Sequence, residues 1–209
     1  MGNNNVSTRL VEFEPYFINV MNGDNSSLNY LINCDEKYQM DDAKAYLMVI
    51  YCGGYGVTRD VSRARSMGKE IVDWLFRLNE DAMNDKKEKS IIWYLKGFVY
   101  DYGLGVEQND GKAFKYFELS ADQGNSYGQY NVGNCYHVGI GVKNNNDKAF
   151  KYWKLSADQG DSRAKINLDY LLSSYTPSPS TQSNVSHQHQ HQHQHQYHSF
   201  HSQPNRFLQ

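Results

Sequence analysis

Three cysteines and one histidine are the residues in the body of this 209-residue chain from which catalysis or metal chemistry would have to be assembled. Cys34, Cys52 and Cys135 are odd in number and unclustered, which matches neither a disulfide framework nor a zinc site. They read as buried free thiols in a reducing compartment. His137 has no Ser, Cys or Asp at a spacing that would make it a general base, and reads as an exposed helix residue. The other seven histidines lie between His187 and His201, where His187 to Gln196 is a strict His-Gln alternation. Alternate residues of an extended chain project to one side, so this tract suits chelation of zinc, copper or nickel. Protonating all 8 histidines would move the formal charge from −2 to +6 near the ordinary histidine pKa of about 6.5. Metal binding or a pH response through the tail is therefore the alternative function. No catalytic residue, resident metal or cofactor is expected elsewhere.

The charge balance, 21 basic against 23 acidic residues, leaves no electrostatic footprint for a phosphate backbone, so no nucleic-acid partner is expected. No run of about 18 apolar residues exists to span a bilayer. The amino terminus lacks the basic and apolar regions of a signal peptide, and Val6 stands where a myristoylation signal wants Ser or Thr. A cytoplasmic monomer with no membrane partner is the expectation.

What positions any site is an internal repeat. Gly103-Leu104-Gly105-Val106, Lys112-Ala113-Phe114-Lys115-Tyr116 and Leu119 to Gly124 return 36 residues later as Gly139-Ile140-Gly141-Val142, Lys148-Ala149-Phe150-Lys151-Tyr152 and Leu155 to Gly160. An earlier copy begins 49 residues before the second, with Gly54-Tyr55-Gly56-Val57 and Arg63-Ala64, so it carries 13 extra residues. A period of this size means stacked supersecondary units, each unable to bury its own apolar face alone.

Every unit divides into two helices by its apolar spacing. Gly128, Val132, Cys135 and Tyr136 line one helical face, and Ala149, Tyr152, Trp153, Ser156 and Ala157 line another. Gly54, Gly103 and Gly139 follow the last turn of a first helix, where a left-handed residue is wanted. Asp60, Asn109 and Asn145 are placed to cap the second helices. Tyr100, Tyr116, Phe117, Tyr136, Tyr152 and Trp153 are the expected inter-helix core.

The chain thus reads as an N-terminal helical cap over 1–40, with helices through Leu10, Phe13, Phe17 and Val20 and around Leu28 to Ile32. Repeat 1 occupies 41–89, repeat 2 90–125 and repeat 3 126–161. The extra residues of repeat 1 predict a prolonged helix through Ile71, Trp74, Leu75 and Leu78, then a solvated charged loop at Asp85 to Lys89. A capping helix follows over 162–174 through Ala164, Ile166, Leu168 and Leu172. The tail, 175–209, has almost nothing apolar and is expected to be disordered.

The order Gly128, Tyr130, Gly133, Tyr136, Gly139-x-Gly141-Val142, Asn145, Lys148-Ala149, Tyr152-Trp153, Ser156-Ala157, Gln159-Gly160 resembles the Sel-one-like repeat, a short relative of the tetratricopeptide repeat. The resemblance covers about residues 41 to 172. The first copy departs from it: Met48 replaces the helix glycine and the small pair is missing after Gly68. The resemblance implies an all-α, right-handed α-solenoid of helix-turn-helix repeats whose members serve as non-catalytic adaptors and scaffolds. Some cysteine-rich bacterial members look like β-lactam hydrolases, a third reading. This chain lacks the paired cysteines of that branch. The Asn-rich composition and His-Gln tract are similar to proteins of AT-rich protists and their giant viruses.

The expected function is therefore a scaffold that holds a protein or peptide partner along the concave face. Non-repeating residues on the first helices, namely Phe98, Asp101, Tyr102, Asn134, His137 and Tyr170, are the expected contacts, because rigid aromatic anchors dominate interface energies.

Overall fold

The repeat period and the capping residues dictate paired helices, and the structure, a computed structural model, shows them over residues 9–80 and 83–175. Nine helices and no strand occur among the described residues: α1 Leu10–Met21, α2 Asn25–Tyr38, α3 Asp41–Gly53, α4 Val61–Arg77, α5 Lys86–Tyr102, α6 Asp110–Asp122, α7 Ser126–Val138, α8 Asn146–Asp158 and α9 Ser162–Tyr175. The pairs α3–α4, α5–α6 and α7–α8 stack in succession, α9 packs on α8, and α1 folds back over α3 and α5. The result is an all-α solenoid. The amino-terminal tetrad Asn3-Asn4-Asn5-Val6 and the His-Gln tail, with the disorder and metal binding expected of the latter, lie outside the described residues.

Each loop is built by the same three devices. Gly54, Gly103 and Gly139 take φ of +71°, +62° and +90°, the left-handed turn that closes the preceding helix. Asp60, Asn109 and Asn145 then accept the backbone N–H of Arg63, Lys112 and Lys148, each at 2.9 Å. Finally, the cation three residues into the new helix lies over a tyrosine of the old one: Arg63 over Tyr51 at 4.2 Å, Lys112 over Tyr100 and Lys148 over Tyr136 at 4.9 Å.

Within a unit the helices meet at a glycine. A Cβ on Gly97 would lie 2.6 Å from the Phe117 ring, and one on Gly133 would run into Trp153. Phe117 and Trp153 are in turn fully buried. The first unit departs from this: Met48 is buried on its first helix, and a Cβ on Gly68 of its second would lie 2.8 Å from Leu104 at the corner of the next unit. Gly68 therefore lets that corner close on α4, where a Cβ on Gly105 would in turn lie 2.7 Å from the Gly68 carbonyl oxygen. The two helices of a unit are further joined by Ser120 and Ser156, whose hydroxyls donate to the carbonyls of Ser90 (2.7 Å) and Ser126 (2.8 Å). Of the six aromatics expected in the core, Phe117, Tyr136 and Trp153 are buried. Tyr100, Tyr116 and Tyr152 are half-buried and stack at its edge, Tyr100 on Tyr116 and Tyr136 on Tyr152.

Four expectations are corrected. The charged stretch Asp85 to Lys89 is the cap and first turn of α5 rather than a loop. Asp85 accepts from Lys87 N (2.7 Å) and Glu88 N (3.3 Å), and Lys87 pairs with Glu14 of α1 at 2.5 Å. The prolonged helix α4 stops at Arg77, and Leu78 is buried just past its end in extended conformation. In the final helix, Ala164 and Leu171 are buried, whereas Ile166 and Leu172 are 40% and 50% exposed because no further helix covers them among the described residues. The cap helix α2 runs 14 residues, well beyond the short piece expected around Leu28 to Ile32.

Candidate binding cleft

A cleft of about 260 Å³ opens where four parts of the chain converge. The end of α1 brings Ile18, Met21 and Asn22, the α3–α4 loop brings Tyr55, the start of α7 brings Tyr127 and Tyr130, and the α8–α9 corner brings Gln159, Asp161, Arg163, Ile166 and Asn167. Tyr55 reaches it because it sits between the two glycines of its loop, the position filled by buried Leu104 and Ile140 in the other units.

Arg163 organises this cleft. Its Nε and Nη2 donate to Asp161 Oδ1 (3.0 Å) and Oδ2 (2.6 Å), and its Nη1 donates to the Tyr55 hydroxyl (3.0 Å). The guanidinium also lies 4.2 Å from the ring centre of Tyr130, 5.4 Å from Tyr55 and 5.6 Å from Tyr127. Asp161 has a second duty, accepting the Arg163 and Ala164 amides as the cap of α9. Burial works against the Arg163 charge, but Tyr55 and Asp161 outweigh it and hold the guanidinium above the ordinary arginine range. Burial also pushes the Tyr130 phenol up to about 12 and Tyr127 higher still. At neutral pH the cleft therefore presents one compensated ion pair, neutral phenols, side-chain amides and apolar walls. These groups bind by hydrogen bonding and apolar contact, and the lining includes neither thiol nor imidazole.

The six residues singled out from the sequence do not share a surface. Phe98, Tyr102 and Asp101 are buried: Phe98 packs between Tyr94 (6.0 Å) and Tyr102 (4.6 Å), and α1 lies across α5. Asn134 is buried as a strut whose side-chain oxygen accepts from Trp153 Nε1 (3.0 Å) and Asn167 Nδ2 (3.1 Å). His137 is half-buried, with Nδ1 3.0 Å from Asn146 Oδ1 and its ring 5.2 Å from Trp153. Tyr170 alone is well exposed, one turn beyond Ile166 of the cleft. The exposure of Phe98, Asp101 and Tyr102 was misjudged because the repeat pattern says nothing of a cap helix folding back over the stack, and that of Asn134 because Trp153 and Asn167 reach it from α8 and α9.

The cysteines are buried free thiols. Burial pushes Cys52 up to about 12 and Cys135 well above the usual thiol range. Among the described residues no three His, Cys, Asp or Glu side chains converge as metal ligands, and no helix is long and apolar enough to cross a membrane.

Stacked helix pairs with glycine-aromatic seams, Gly-x-Gly corners and Asn caps define a helical repeat protein. The Sel1 repeat matches residues 43–67, 97–125 and 126–161, so this chain carries three Sel1 repeats. No curated protein matches it. Among solved structures, a Sel1 repeat protein from Oxalobacter formigenes is 28% identical over 69% of this chain and 38% of its own, with a TM-score of 0.43. The protein c5321, a protective antigen of uropathogenic Escherichia coli strains with an SLR fold, is 23% identical over 80% of this chain and 34% of its own, with a TM-score of 0.44. This chain thus spans between a third and two fifths of the length of either.

Proposed function

We propose that this protein is a non-catalytic interaction scaffold that holds a partner protein through a peptide side chain seated in the Arg163 cleft. The observation that carries the reading is the composition of that cleft. At about 260 Å³ it lies below the roughly 300–1,000 Å³ usual for small-molecule pockets, so it suits one or two side chains of a larger partner better than a metabolite. Ile18 and Ile166, each 40% exposed, supply apolar contact at the rim, and Asn22, Gln159 and Asn167 supply amides for a peptide backbone. Its two ionised groups compensate each other, which leaves no general base or nucleophile for hydrolysis. Tyr170, one helical turn past Ile166, extends the contact surface.

Panning random peptides displayed on phage against the chain tests this. The expected result is an enriched motif with an apolar anchor whose binding is lost in Ile18→Arg and Ile166→Arg, both of which leave thermal unfolding unchanged. Motifs that bind these variants as well as the parent overturn the assignment, as does the absence of any enrichment.

A further inference from the structure

A second apolar surface, separate from the cleft, is left by the way the stack ends. In each complete unit a second helix covers the first: Tyr152 of α8 stacks on Tyr136 of α7 with ring centres 5.9 Å apart. The helix α9 is a first helix, and Leu168 and Leu172 occupy the positions that Val132 and Tyr136 hold 36 residues earlier. Val132 and Tyr136 are buried, whereas Leu172 is 50% exposed. On α8, Leu155 is 41% exposed at the position of half-buried Leu119. Leu155, Leu168 and Leu172 therefore mark the trough that the second helix of a fourth unit would fill.

We infer that the trough is covered by the end of the same chain, the segment Tyr197 to Leu208. Three features of the sequence beyond α9 select this occupant. It is tethered at the trough, since residue 176 directly follows the last residue of α9. The next 21 residues, 176–196, contain, besides Pro177 and Pro179, a single apolar side chain, Val185, and no Lys, Arg, Asp or Glu, which makes them a spacer. The apolar groups then come together as Tyr197, Phe200, Phe207 and Leu208. An unstructured chain of that length would have a root-mean-square span of about 25 Å. A helix the length of α8 is about 20 Å long, so the segment can reach the whole trough. The tether holds its local concentration near the millimolar range, roughly what a few apolar side chains need to dock.

The test uses the full chain. A benzoylphenylalanine photocrosslinker replacing Leu172 is expected to join, within one chain, the peptide containing Phe200 or Phe207. In the intact protein, the combined substitution Phe200→Ser, Phe207→Ser and Leu208→Ser is expected to raise amide exchange across residues 162–175 at least tenfold, while α5 to α7 stay protected. Crosslinks that join two chains place a second copy in the trough and overturn the proposal. Exchange that the triple substitution leaves unchanged overturns it equally. Neither readout depends on the Arg163 cleft, so the two assignments fail separately.

Discussion

Arg163 donates a hydrogen bond from Nη1 to the hydroxyl of Tyr55, 108 positions earlier in the chain, at 3.0 Å. In a stack whose units touch only their neighbours, the ends open independently. Here the corner of the first unit is tied to the start of the last helix, and the same guanidinium holds Asp161 in a bidentate pair.

Removing the cation leaves Asp161, whose side chain is only 5% exposed, without its partner. Arg163→Ala is therefore expected to cost about 3–5 kcal/mol in urea unfolding. Tyr55→Phe, which deletes one hydrogen bond and keeps the ring, is expected to cost about 1 kcal/mol. Equal losses in the two variants would show that the guanidinium is not the anchor.

The glycines divide into those that hold a seam and those that do not. Gly97→Ala forces a methyl against Phe117 and is expected to destabilise the fold by about 1–3 kcal/mol. Gly111→Ala, in the first turn of α6 with nothing nearer than an Asn109 oxygen at 3.6 Å, is expected to stabilise it by about 0.5–1 kcal/mol. Opposite shifts in the urea midpoint check both; a shift of the same sign in both contradicts the packing described.

Asp24 caps α2 and accepts from the hydroxyls of Ser27 and Ser26, which together with their amides hold its carboxyl near 2, below the ordinary 3.8. A depressed carboxylate stabilises the fold above its unfolded pKa, and that contribution disappears as pH falls through the folded value. The melting temperature of the parent is expected to exceed that of Asp24→Asn at pH 5, with the gap closing as pH approaches 2. A gap that is constant with pH would mean that the charge has no part in the cap.

Cys52 and Cys135 are buried with pKa values pushed up, so almost no thiolate exists at pH 8. Ellman's reagent is expected to react with neither in the folded protein and with both at the rate of unfolding in urea. Fast native-state labelling of either one would contradict the packing.

Much of the architecture was legible in the letters because each loop repeats a short-range device. The caps at Asp60, Asn109 and Asn145 and the left-handed glycines all lie within a few residues of the structure they specify. The charge run at Lys86 to Lys89 was misread because a single capping carboxylate, Asp85, outweighs the preference of such a run for water. The cleft was missed for a longer-range reason: α1 and α9 converge there from opposite ends of the described chain. A signal did exist. Tyr55 stands where the other corners have Leu104 and Ile140, and Arg163 stands 36 residues after Tyr127, so each side of the cleft carries a departure from the period. Phe98 and Asp101 depart as well but are buried, so divergence from the repeat is informative only once the path of α1 is known.

The approach of the Leu104–Gly105 corner to Gly68, as close as 2.7 Å, means that the first two units cannot be shuffled freely. A side chain at position 68 would run into Leu104, so a second helix without glycine there would not seat this corner. The order of these units is thus written into the joint between them, and any duplication or recombination that enlarges this array must carry α4 together with the corner that closes on it.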